Sequence, residues 1–113
     1  MVAVNSEDQN GTLSSFSSWG QNPRELTAPG SNTLSTWVGN NAVGFDSGTS
    51  MSTPFEAGCI ALLRDVGVSA QAAIADTLLT ARVPKGGERQ FYGFGDLNCG
   101  AALKLAYLEG YGR

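Results

Sequence analysis

Hydrophobic and polar positions run in short blocks through the first half of the chain and in longer, helix-length blocks through the second. Val2-Ala3-Val4 predicts a short buried strand, ended by the polar stretch from Asn5 to Thr12. Leu26-Thr27-Ala28 predicts a second extended piece, stopped by Pro29-Gly30. The β-formers from Thr33 to Val38 predict a third strand, with Gly39-Asn40-Asn41 as its turn, and Ala42 to Phe45 leads on toward Gly48. From about Ser50 to Val66 the pattern is helical, and Pro54 is tolerated because it falls near the first turn. Phe55, Ala57, Gly58 and Cys59 to Leu63 leave that helix apolar on nearly every side, which predicts a central helix buried by neighbours all round. Gly58 costs about 1 kcal/mol against alanine in a helix and predicts close approach of another backbone.

Ser69 predicts the N-cap of a second helix, with Ala70, Ala73, Ile74, Thr77, Leu78 and Ala81 on one stripe and Gln71 and Asp76 off it. Gly86-Gly87 marks a loop, and Phe91 to Gly95 an aromatic-glycine turn. Asn98 predicts the cap of a last helix carrying Ala101, Ala102, Leu105 and Leu108. Two one-sided helices and a few short strands can hardly cover the first helix completely. Part of its expected surroundings is missing from this chain.

Composition sharpens this picture by exclusion. A chain of 113 residues is at most one domain, and 42% hydrophobic residues with 15% charged ones and 15 glycines fit packed α/β structure with many tight loops. The net charge of −3 and the scattered basic residues give nucleic-acid binding no electrostatic support. The longest apolar run, Ala57 to Leu63, is too short to span a membrane, and Met1 to Asn5 lacks the basic start and long apolar middle of a signal peptide. Cys59 and Cys99, with no CxxC and no histidine, make no zinc site. Because Cys59 lies inside an apolar helix, both cysteines are expected as free thiols.

The candidate chemistry lies in Gly48-Thr49-Ser50-Met51-Ser52-Thr53-Pro54, within a chain that contains no histidine. Gly-Thr-Ser alone is also ordinary helix-capping chemistry. A serine on the first turn of a rigid helix suits nucleophilic attack, however. Gly48 permits a sharp approach, and the Ser50 N–H and the positive end of the helix dipole can stabilise an oxyanion. A serine nucleophile needs a base, and none of the usual kind is present.

The heptapeptide with Ala57-Gly58 resembles the nucleophile segment of subtilisin-like serine proteases. Phe16-Ser17-Ser18-Trp19-Gly20 is similar to the family's F-S-S-x-G segment, Ala28-Pro29-Gly30 to its A-P-G turn, and Tyr92-Gly93-Phe94-Gly95-Asp96-Leu97-Asn98 to its closing Y-G-x-G-x-(I/L)-N segment. The likeness runs from Val2 to about Ala106, in order and at compatible spacing. It implies that residues 1–113 are the C-terminal part of a subtilase catalytic domain: an α/β fold in three layers, a mostly parallel sheet, and a central helix starting at the nucleophile. It implies serine endopeptidase activity, with Ser50 as nucleophile and its N–H as one oxyanion donor, and Gly48, Thr49 and Met51 beside the substrate. The family's Asp, His and oxyanion Asn lie upstream and have no counterparts here, so the isolated chain is expected to be inactive. The implied partners are a peptide or protein substrate and the missing N-terminal part of the same domain. No cofactor is implied beyond calcium in the complete domain, and the family, not this N-terminus, argues for secretion.

Two departures stand out. Phe55 and Glu56 follow the motif proline where the family has His and a small apolar residue, and Ser47 stands where Asn is common. Glu56 near a helix N-terminus suits the dipole, but a buried carboxylate needs a partner. Glu25 occupies a place where some subtilases bind a weak cation. It is expected as a solvated carboxylate, and one carboxylate is too little for calcium. Trp19, Trp37, Phe91 and Phe94 are expected to pack or to anchor loops. Two rival readings remain: a fragment of a serine-carboxyl peptidase, which uses Glu and Asp in place of His, and a non-catalytic truncated or pseudo-protease module.

Overall fold

The computed structural model describes residues 2–8, 14, 15, 17, 25–36, 38, 39, 42–82 and 94–112. Its elements are β1 (Ala3–Glu7), β2 (Glu25–Pro29), β3 (Thr33–Thr36), β4 (Val43–Asp46), α1 (Thr49–Asp65), α2 (Ala70–Thr80) and α3 (Cys99–Leu108). β1 and β2 pair in parallel, Asn5 opposite Thr27 and Glu7 opposite Pro29. On its other side β2 meets the segment before α3: Thr27 donates to the Gly95 carbonyl at 2.9 Å and accepts from the Leu97 N–H at 2.7 Å. β3 and β4 form a separate antiparallel pair running into α1. The α/β class and the parallel sheet are as expected.

β1 runs past the predicted stop. Asn5, Ser6 and Glu7 continue the strand and are buried despite their polarity. All three pair in register with β2, and neighbouring serines take up the Ser6 N–H, carbonyl and hydroxyl. The predicted strand from Thr33 to Val38 is described only to Thr36, since Trp37 lies outside the described residues.

α1 touches β1, β2, α2 and α3, and is the central helix of the chain. Cover within the chain reaches one stripe of it: Ser52, Glu56, Cys59 and Leu63, spaced four, three and four residues apart. Phe55 and Leu62 on the other faces are 43% and 53% exposed. Gly58 departs from expectation, since a Cβ there would meet no atom within 4 Å among the described residues, and none of their backbone packs against it. Gly67, at φ 104, ends the helix, its N–H donating to the Arg64 carbonyl at 3.0 Å.

The apolar core gathers where the three helices meet: Cys59 and Leu63 of α1, Val68, Ala73 of α2, and Ala102 and Ala106 of α3. The caps are as expected, with Ser69 accepting from the Ala72 N–H and Asn98 from the Ala101 N–H. Three details differ. Asp76, expected off the α2 stripe, is buried beside Thr77 and Leu78, while Ala70 is exposed; Leu108 is 68% exposed. The third concerns the cysteines. Cys59 and Cys99, expected as free thiols, form a disulfide between α1 and α3, with Cα atoms 5.7 Å apart. Placement at a helix crossing brings buried Cys59 and half-buried Cys99 within bridging range, which pattern along one helix does not reveal.

Candidate active site

Ser50 is the second residue of α1 and is exposed. The first N–H groups of a helix have no intrahelical acceptor, and the Gly48 cap makes no side-chain bond in their place. The Ser50 N–H therefore lies in the turn where an oxyanion is best stabilised. Gly48 precedes it and half-buried Met51 follows it, so the expected neighbours adjoin Ser50 in one turn, with the Thr49 backbone between. Met51 also lines a groove of about 290 Å³ with Thr33, Leu34, Ser35, Pro54 and Phe55.

Three hydrogen bonds seat this turn on the end of β2 and the segment after it. The Gly48 N–H donates to the Gly30 carbonyl at 2.7 Å, the buried Ser52 hydroxyl to the Ala28 carbonyl at 2.9 Å, and the Asn32 N–H to the Ser47 hydroxyl at 2.8 Å. The fit is tight at Gly30. A Cβ there would collide with the hydroxyls of Ser52 and Ser6 and come within 2.7 Å of the Gly48 carbonyl oxygen. The Ala28-Pro29-Gly30 turn is thus the platform for the turn that carries Ser50. Ser47 acts as an acceptor for the turn at Asn32, which holds a left-handed conformation at φ 50.

Sequence reading missed several polar groups beneath the platform. Ser14 bonds Ser6 and Ser31 through its hydroxyl, and Ser17 accepts from the Ser6 N–H. Glu7 is buried, and desolvation together with the neighbouring Asp96 carboxyl pushes it from 4.5 up to about 8, so it holds a proton that it shares with Asp96. Nothing in the pattern announced that pair, because the two residues come from opposite ends of the chain and meet across β2. Glu56 is 3% exposed and neither carboxyl oxygen has a hydrogen-bond partner among the described residues. Burial raises its pKa above the ordinary carboxylate value, and the neighbouring Thr77 side chain works in the opposite direction.

Glu25, expected as a solvated carboxylate, is buried in β2 at 3% exposure, because it faces the packed side at the start of the parallel pair. Among the described residues, no group of three or more His, Cys, Asp or Glu side chains is placed to hold a metal. Phe94 is half-buried and its N–H bonds the Glu25 carbonyl, in keeping with an anchoring role. Phe16, Ser18, Trp19, Trp37, Phe91, Tyr92 and Gly93, singled out in the sequence, lie outside the described residues. Among the described residues, no helix is long and apolar enough to cross a membrane.

Comparison with known proteins agrees with this geometry. The chain is 34% identical over 103 residues to subtilisin BL of Lederbergia lenta, covering 91% of this chain and 38% of that protein. It is 48% identical over 64 residues to a thermostable alkaline protease of Halalkalibacterium halodurans, covering 57% of this chain and 17% of the relative. Among solved structures, that of the PatG macrocyclase in complex with peptide superposes with a TM-score of 0.80 at 28% identity, over 94% of this chain and 36% of that one. The chain thus spans well under half the length of each. A family model described as the subtilase family matches residues 1–95. The chain belongs to the subtilase family.

Proposed function

We propose that this chain supplies the nucleophile, Ser50, to a subtilase catalytic domain that hydrolyses peptide bonds through an acyl-enzyme. The observation that carries this reading is an exposed serine on the first turn of α1, in a turn held by two hydrogen bonds to the Ala28-Pro29-Gly30 platform and a third to Asn32. In the reaction Ser50 Oγ attacks the scissile carbonyl carbon, its proton passes to a base, and the developing oxyanion is met by the Ser50 N–H. The base comes from polypeptide outside this chain, because none of its 113 residues is a histidine. A second oxyanion donor and most of the substrate pocket come from there as well. Met51 lines the site beside the nucleophile, and no cofactor takes part.

Exposed Phe55 and Leu62 on α1, and Leu34, Val43 and Phe45 on the β3–β4 pair, support a missing partner that covers these surfaces. The disulfide favours an oxidising, extracellular setting. The test is labelling by a fluorophosphonate probe in the domain assembled with its upstream part. Wild type should label and Ser50→Ala should not; labelling that persists on another serine overturns the assignment. Expressed alone, the chain should bind a hydrophobic dye and cleave no peptide above background. A sharp two-state melt of the isolated monomer would instead favour a self-sufficient, non-catalytic module.

A further inference from the structure

A continuous line of hydroxyls runs from β1 to Ser31, in the short segment to which the turn carrying Ser50 is bonded. Ser6 of β1, fully buried, bonds Ser14 at 2.9 Å, and Ser14, 6% exposed, bonds Ser31 at 2.7 Å, oxygen to oxygen in both cases. The Ser14 N–H also donates to the Ser6 carbonyl at 2.8 Å, so Ser14 is fixed to the strand by backbone as well as side chain. Ser31 lies between Gly30, whose carbonyl takes the Gly48 N–H, and Asn32, whose N–H holds Ser47. Ser31 thus sits in the middle of the short piece that grips both residues before Thr49.

A hydroxyl accepts and donates at once, and bonds in such a chain strengthen one another in a low-dielectric interior. Without the Ser14 hydroxyl, Ser6 and Ser31 each lose a partner, and the Gly30–Asn32 turn loses its side-chain tie to β1. The Gly30 N–H to Glu7 carbonyl bond at 2.9 Å still ties one end of the turn to the strand, while the Ser31–Asn32 peptide is freer to swing. Asn32, already left-handed at φ 50, is the joint about which it would swing.

We propose that Ser14 is a positioning residue for the nucleophile: its hydroxyl, bridging Ser6 and Ser31, holds the platform that sets where Ser50 stands. The proposal rests on Ser50 being the nucleophile. Ser14 touches no reacting atom, so its effect falls on attack geometry and not on substrate binding.

The experiment compares Ser14→Ala, Ser31→Ala, the double variant and Ser50→Ala in the assembled domain, each normalised to its folded fraction. Ser14→Ala should slow fluorophosphonate labelling and lower kcat roughly threefold to tenfold, short of the hundredfold that an ångström of misplacement brings, with KM unchanged. Ser31→Ala breaks the same line from its half-exposed end. It should give a similar loss and keeps the test open should the buried Ser14 variant fold poorly. The double variant should be no slower than the worse single one, because both remove one shared bond. Full rates in the folded single variants, or losses that multiply in the double, would overturn the proposal. A lower melting temperature with unchanged kcat would also overturn it, by showing Ser14 to be structural only. Persistent labelling of Ser50→Ala would instead remove the nucleophile assignment itself, so the two failures read differently.

Discussion

At its N-terminal end α1 meets hydroxyls and carbonyls: Ser52 on Ala28, Gly48 on Gly30, Ser47 on Asn32, with the Ser6–Ser14–Ser31 line beneath. At its C-terminal end it meets aliphatic side chains and a disulfide, as Cys59 and Leu63 pack among Val68, Ala73, Ala102 and Ala106. The apolar end tolerates small shifts, because burial is non-directional and scales with area. The polar end does not, because each bond has a length and an angle. The nucleophile proposed at Ser50 has to be fixed in direction, and a helix bundle has only to be dry. The chain uses directional contacts where geometry decides and area where mass of contact decides.

Substitutions at the two ends should therefore separate stability from activity. Removing the disulfide with Cys59→Ser and Cys99→Ser should cost about 4 kcal/mol on a chain-entropy estimate for the closed loop, while kcat per folded molecule of the assembled domain stays within about twofold. Denaturant midpoints and initial rates measure this, and a collapse of kcat without loss of stability would erase the contrast. Gly30→Ala should do the reverse. Its methyl meets Ser52, Ser6 and the Gly48 carbonyl, so the nucleophile turn must move, and kcat should fall about a hundredfold or more. If the variant keeps full activity, the platform is not rigid.

A third test uses protons. The Glu7 pKa in the folded state is raised from 4.5 to about 8, so the folded state holds a proton that the unfolded chain releases earlier. The stability from this group is fully present below pH about 4.5, falls as pH rises, and is gone above about 8. Glu7→Gln should flatten that slope in a series of denaturant midpoints against pH, and parallel curves for the two proteins would exclude the shared proton. The smallest effects should come from the caps at the helical end. Ser69→Ala and Asn98→Ala should each cost about 1 kcal/mol in midpoint and nothing in rate.

What the sequence disclosed follows the same division. The helices were legible because caps and apolar spacing are local, as Ser69 and Asn98 show, and α1 was placed to within a residue at each end. The Gly48–Pro54 segment stood out because its residues are contiguous. Polar β1 was cut short, since Asn5, Ser6 and Glu7 look like a loop until their partners from Ser14, Ser17 and Asp96 are known. Asp76 and the cysteine pair were misread for the same reason: burial at a helix crossing depends on the second helix, and no pattern along the first contains it.

The position of β2 carries a consequence for how the site comes into being. Its flank opposite β1 is closed by the Phe94 N–H on the Glu25 carbonyl, and by Thr27 exchanging bonds with Gly95 and Leu97. Those residues are made long after β2 leaves the ribosome, and closing so large a loop is slow, because its entropy is lost before the contacts form. Until then β2 has an open edge, and the turn that follows it stands on an unfinished strand. A growing or truncated chain that stops short of Phe94 therefore carries Ser50 without the completed sheet beneath it. The turn that carries Ser50 is therefore fully supported only once synthesis has passed Leu97.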